Sequence, residues 1–104
     1  MAAKGIESVP VDLSDPEALR MVRELAADSD RIVTLEHCRR RMAQRHVTLM
    51  QVVLCLQKGT IAEGPRMNAH GNWQVNLYRH AAGEELTCTV AIEWARRLLV
   101  ITVF

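Results

Sequence analysis

The chain has 104 residues, 49% hydrophobic but only 4% aromatic, and a net charge of +1. That is enough apolar matter for one self-folding domain, and too few rings for a nucleic-acid binder that works by base stacking. Near-neutral charge excludes a global pull toward polyanions, yet residues 1–30 hold three basic and seven acidic side chains against ten and five in residues 31–104.

Such asymmetry fits an acidic front segment on a basic body, or a basic surface kept for a partner. Cys38, Cys55 and Cys88 are odd in number and lie among apolar neighbours, which reads as buried thiols in a reducing compartment. No Cys-x-x-Cys occurs, so no metal and no cofactor is expected. The N-terminus lacks an apolar signal core and no run reaches membrane-spanning length, so the expected location is cytoplasmic, with no membrane partner.

Residues 1–12 read as an extended lead-in, with Pro10 opposing helix. Ser14-Asp15-Pro16-Glu17 then starts a first helix: Ser14 can accept the Glu17 amide, and acids suit the first turn. Leu19, Val22, Leu25 and Ala26 give it a narrow apolar face, and Asp28-Ser29-Asp30 ends it. Arg31-Ile32-Val33 reads as a connector. Thr34 can cap a second helix running to about Gln44, with Leu35, Cys38 and Met42 as its buried stripe.

After a break at His46-Val47, Thr48 and Gln51 form a capping-box pattern for a third helix over 49–57. That helix is apolar nearly all round and is expected to be the most buried of the three. Lys58-Gly59 closes it, the glycine suited to a left-handed cap. A short strand over 60–63 breaks at Gly64-Pro65, and a loop over 66–71 follows.

The next strand alternates, Trp73, Val75 and Leu77 against Gln74, Asn76 and Tyr78. A turn around Ala82-Gly83 leads to a strand whose Leu86, Cys88, Val90 and Ile92 face the core while Thr87 and Thr89 do not. The last strand, from Arg97, is apolar at consecutive positions, as expected near a sheet centre or under cover on both faces. The expectation is one α+β domain over 1–104: an N-terminal extension and helix over 1–30, then a core over 31–104. Its helices pack on one face of a four-stranded, mainly antiparallel sheet.

Two polar clusters are candidates for function. On the second helix His37, Arg41 and Arg45 recur at i, i+4 and i+8, flanked by Arg39 and Arg40. That stripe suits phosphate or an acidic partner, or is a solvated face, or a clamp onto the acidic first helix. The second cluster is the free sheet face with its loop: Arg66, Asn68, His70, Gln74, Asn76, Tyr78, Arg79 and His80.

RNA cleavage without a metal needs a base for the 2′-hydroxyl, charge stabilisers and an acid for the leaving oxygen. His70, His80 or Tyr78 can transfer protons, Arg66 and Arg79 can stabilise charge, and Gln74 can position the phosphate. An ordinary solvated strand face is the plain alternative. Serine or cysteine nucleophiles are disfavoured, Cys38 beside His37 being the one electropositive setting. No glycine-rich phosphate loop is present, so nucleotide hydrolysis is not expected.

Thr34-x-x-His37-x-x-x-Arg41-Met42-x-x-Arg45-x-Val47, then Val53, Gly59, Gly71-x-Trp73 and Val100-Ile101-Thr102-Val103, resembles a family of small bacterial domains. These open on a His-x-x-x-Arg-Met helix, end on an Ile-Thr-Val strand, and are placed near the RelE-like toxin fold. Gly64-Pro65-Arg66-Met67, Trp73-Gln74-x-x-Leu77-Tyr78-Arg79, Gly83-Glu84-x-Leu86-x-Cys88-Thr89-Val90-x-Ile92 and Leu99-Val100-Ile101 resemble the MqsR-like messenger-RNA interferases.

The resemblance covers about residues 34–104. It implies a RelE-like core and a toxin-type, metal-independent endoribonuclease, with RNA as substrate and an antitoxin protein as partner. It matches Gln74 to an active glutamine and Arg66 to a basic loop residue, and puts Glu85 where those enzymes have a tyrosine. The alternatives are a non-catalytic interaction module on the same fold, or a regulator that binds nucleic acid through its basic helix.

Overall fold

A computed structural model describes residues 8–104. The first seven residues of the expected lead-in lie outside the described residues. Helix α1 spans Asp15–Ala26, and Ser14 caps it by accepting the Glu17 amide, as its sequence requires. It buries Ala18, Met21, Val22, Leu25 and Ala26, a broader face than the expected stripe. A 3-10 turn, Ser29–Arg31, capped by Asp28, then leads directly into strand β1, Ile32–Thr34.

The Ile32 segment was expected to be a connector and is a strand. It pairs in parallel with the last strand through Ile32↔Leu98, Val33↔Leu99 and Thr34↔Val100. Three β-branched residues are too short a run to show strand periodicity, and their partners lie far along the chain. Thr34 therefore does not cap helix α2, Glu36–Arg45; Leu35 stands at that position without a side-chain cap. The helix ends on His46 in the left-handed conformation.

Helix α3, Leu49–Lys58, carries the full capping box: the Gln51 amide reaches the Thr48 hydroxyl at 3.1 Å, and the Thr48 amide reaches Oε1 of Gln51 at 2.7 Å. It buries Val52, Cys55 and Leu56, while Leu49 and Met50 stay exposed, so α1 and not α3 is the more buried helix. The two helices satisfy each other's C-terminal carbonyls. Arg23 of α1 donates to the Leu56 carbonyl at 2.8 Å and to the Gly59 carbonyl, and Gln57 of α3 donates to the Ala26 carbonyl at 2.8 Å. These are orphan groups of the last turns, and a guanidinium there also suits the helix dipole.

Strand β2 runs Thr60–Met67, straight through the expected break at Gly64-Pro65. The strand lies at the sheet edge and takes two register irregularities, with a cis Gly64–Pro65 bond. An edge tolerates a proline that cannot donate to the ladder. Strand β3 is Trp73–Ala81, β4 is Glu84–Glu93 and β5 is Arg97–Val103. Ala82 and Gly83 join β3 to β4 with positive φ at both, which a two-residue hairpin turn requires.

The sheet order is β1-β5-β4-β3-β2, five strands and mixed rather than four and antiparallel. One core fills the space between the helices and one sheet face, with Val75, Leu77, Cys88, Val90, Ile92, Leu98, Val100 and Val103 buried in it. The consecutive apolar run of β5 has a specific cause. Thr102 faces Thr89 and Val100 faces Val90, so Ile101 is an extra residue in a bulge. The bulge re-phases the strand so that both Val100 and Val103 reach the core.

Candidate functional site

The sheet face away from the core carries Gln74, Asn76, Tyr78, Thr87 and Thr89, as the alternation predicts, because Asn76 pairs with Thr89 and Tyr78 with Thr87. Its polar groups are tied to one another. Asn76 donates to Glu63 at 3.2 Å and accepts from Thr89 at 2.8 Å, while Asn68 donates to the Gln74 side chain at 3.2 Å. Tyr78 donates its hydroxyl to a Glu85 oxygen at 2.7 Å.

The candidate residues divide into two groups along β3. Arg66 stands opposite Gln74 at one end, and His70 occupies the exposed turn just before the strand. At the other end His80 stands directly across from Glu85, on the same face as Tyr78. From Gln74 to Tyr78 is four residues, about 13 Å of strand, and Trp73 to His80 alone spans about 23 Å. One phosphate cannot bridge His70 and His80, so they are not an acid–base pair.

Arg79 was grouped with Tyr78 but faces the other way, since it pairs with Leu86 on the helix side of the sheet. There it meets Arg45. A cleft of about 250 Å³ opens between the α2–α3 corner and the end of the β3–β4 hairpin, lined by Arg45, Arg79, Val47, Gln51, Glu84, Glu85, Leu86 and Phe104, with His46 and Ala81. Glu85 belongs to both places: it accepts from Tyr78 on the outer face and borders the cleft that holds Arg45 and Arg79.

Glu85, which the resemblance sets at a tyrosine position, is absent from the two polar clusters of candidates although it stands on the same face as Tyr78 and His80. A two-residue turn at Ala82-Gly83 sets His80 against Glu85 by counting outward, so the signal was present in the register.

The basic helix is less uniform than its sequence. Arg39 donates to the Thr34 carbonyl and holds α2 to β1. Arg41 is half-buried, its guanidinium 3.5 Å from the Gln44 side chain. His37 and Arg40 are exposed, and Arg45 reaches the cleft. No ion pair among the described residues joins α2 to α1, whose Glu24 pairs with Arg20 at 2.7 Å.

All three cysteines are free and buried. Burial pushes the Cys38 thiol up, which removes the one electropositive candidate. The Cys88 thiol is also pushed up, first by its hydrogen bond with Cys55 and then by burial. Among the described residues no three His, Cys, Asp or Glu side chains group so as to hold a metal ion, and no helix is long and apolar enough to cross a membrane.

The hydrogen bond to Glu85, followed by a smaller effect of desolvation, raises the Tyr78 hydroxyl above its ordinary value of about 10. The folded chain thus favours the neutral phenol. The preference is fully present below the unfolded value and is lost as pH rises through the folded one. Tyr78 is the single tyrosine, so phenolate absorbance follows it alone. Its titration midpoint should lie above that of the unfolded chain and fall back in Glu85→Gln. An unchanged midpoint in that variant would remove the Tyr78–Glu85 bond.

No curated protein and no solved structure matches the chain. The family model described as "Domain of unknown function (DUF4258)" matches residues 34–104, from the last residue of β1 through β5 and therefore across both groups of candidate residues, and the chain belongs to that family.

Proposed function

We propose that the protein is a toxin-type, metal-independent endoribonuclease on a RelE-like core, acting at the hairpin end of the sheet. One observation carries this reading: Glu85, bound by Tyr78 at 2.7 Å and paired across the strands with His80, stands at the hairpin end of the outer face, and Arg45 and Arg79 line a cleft at the same end on the helix side. A base and an acid side by side are the proton-transfer groups that cleavage by the 2′-hydroxyl needs. The likeness of the motifs between Gly64 and Ile101 to the MqsR-like interferases supports the same chemistry.

In this reading Glu85 takes the 2′-hydroxyl proton as the 2′-oxygen attacks phosphorus. The bond to the 5′-oxygen breaks, and the His80 imidazolium protonates that oxygen. The products are a 2′,3′-cyclic phosphate and a 5′-hydroxyl end. Tyr78 orients the carboxylate, and Arg45 and Arg79, on the helix side of the same end, draw in a neighbouring phosphate of the chain. Gln74 and Arg66, about 13 Å along the strand, hold the RNA chain and move no proton.

A second reading is a non-catalytic module whose α2–α3 corner holds a protein partner. It draws on Leu49 and Met50, 56% and 62% exposed in the first turn of α3. Under the first reading an antitoxin covers the same corner. Salt-sensitive binding through the basic helix alone is disfavoured, because Arg39 is engaged with Thr34.

Expression of the wild type tests the proposal. It should arrest growth and yield RNA fragments ending in 2′,3′-cyclic phosphate, and the purified protein should do the same in excess chelator. His80→Ala should do neither. Intact RNA and unimpaired growth with the wild type would end the ribonuclease reading.

A further inference from the structure

Glu85 and His80 stand on a part of the sheet without flanking strands. Strand β2 pairs with β3 from Thr60 and Tyr78, and β5 follows β4 as far as the mutual hydrogen bonds of Thr87 and Phe104. The three rungs beyond, Arg79–Leu86, His80–Glu85 and Ala81–Glu84, form a two-stranded ribbon closed by Ala82-Gly83. Such ribbons are marginal by themselves and twist more strongly than a wide sheet. A carboxylate and an imidazole that must keep a working geometry there need support from outside the ribbon.

Two contacts reach it from α3. At its base the Cys55 thiol donates to the Leu86 carbonyl at 3.7 Å. At its tip Gln51 donates from Nε2 to Oε2 of Glu84 at 3.2 Å. Glu84 precedes Glu85 on the strand, so the two side chains lie on opposite faces, Glu84 toward the helices.

The cap of α3 fixes how Gln51 points. The Thr48 amide can only donate, and it takes Oε1 of Gln51 at 2.7 Å, which leaves the side-chain NH₂ to face the ribbon. The Gln51 amide in turn reaches the Thr48 hydroxyl at 3.1 Å. A capping box needs only an acceptor at this position, and glutamate fills it as well as glutamine. The amide nitrogen is the part of Gln51 that the cap does not use.

We propose that Gln51 is a positioning residue, a strut whose bond to Glu84 fixes the ribbon tip, and with it the Tyr78–Glu85–His80 group, relative to α3. The inference deepens the ribonuclease reading and rests on it for the work that this group performs.

Gln51→Glu in the full chain tests it. Glutamate keeps both halves of the capping box but sets a carboxylate against Glu84, which turns the strut into a repulsion. Adding Glu84→Gln faces an amide with a carboxylate again and restores the wild-type charge. Phenolate absorbance of Tyr78 reads the group without RNA. Its midpoint should fall toward that of the unfolded chain in Gln51→Glu and recover in the double variant. A new negative charge alone would raise that midpoint, so a fall reports loosening. The kcat on RNA should drop about tenfold in Gln51→Glu, the scale of one hydrogen bond, and return to within about twofold in the double variant. An unchanged or raised midpoint in Gln51→Glu would overturn the strut, as would a fall that the double variant does not reverse. A fall in midpoint with kcat unchanged would overturn the positioning role. If the wild type leaves RNA intact, a reversible fall in midpoint still supports the strut, and the ribonuclease reading ends.

Discussion

Gly59→Ala should destabilise the fold by about 3 kcal/mol, the upper part of the range for overpacking a tight interior, and lower the melting midpoint by roughly 15 °C in a domain of this size. Gly59 has φ −72°, which alanine adopts freely, and not the left-handed conformation expected of a closing glycine. Its requirement is space. A Cβ there would lie 2.5 Å from the Cys55 carbonyl oxygen and 2.6 Å from that of Tyr78. Both are backbone atoms, one in the last turn of α3 and one in the middle of β3, so no side chain can swing aside.

Relief requires α3 to lift from the sheet, and that also disturbs the Arg23 bond to the Gly59 carbonyl. Gly71→Ala is the control. Its φ is +81° with open space around it, so it should cost only the left-handed penalty, about 1–2 kcal/mol. Chemical denaturation of both variants decides the matter. A Gly59→Ala loss no larger than that of Gly71→Ala would mean the α3–β3 approach is not tight.

Features set by neighbours in sequence were legible, and those set by distant pairing were not. Ser14 with Glu17 and Thr48 with Gln51 act three residues apart, and both caps form as their letters predict. The alternation in β3 and β4 likewise gave the two faces, since side-chain direction follows from the strand alone. Ile32–Thr34 had no such signal: it is a strand only because Leu98, Leu99 and Val100 lie beside it, some 66 residues later.

Gly64-Pro65 looked like a stop because an edge position, where proline is tolerated, cannot be known before the sheet order is. At the site, Arg66, Gln74 and Tyr78 were placed on the right face but along too long a line. The cleft itself joins α2, the α2–α3 corner and the far end of the hairpin, three segments that no local pattern brings together.

On the proposed ribonuclease reading, Glu85→Gln should lower the RNA-cleavage kcat/KM by about 10³-fold, within the range for loss of a general base or acid, while the melting midpoint stays within about 3 °C. The residue is exposed and its neighbours keep solvent, so stability and chemistry separate cleanly in this variant. Glutamine preserves the shape and can still accept from Tyr78, but it takes up no proton. Tyr78→Phe should cost less, about tenfold, because it removes one orienting hydrogen bond and leaves the carboxylate in place.

The order of the two losses is the informative result. If Tyr78→Phe were the more damaging, the phenol and not the carboxylate would be handling the proton. The raised Tyr78 hydroxyl then makes it a donor to the leaving oxygen and never the base near neutral pH. His80→Ala distinguishes the two cases, since a chain with Tyr78 as acid would survive it, whereas the Glu85–His80 pair requires both members.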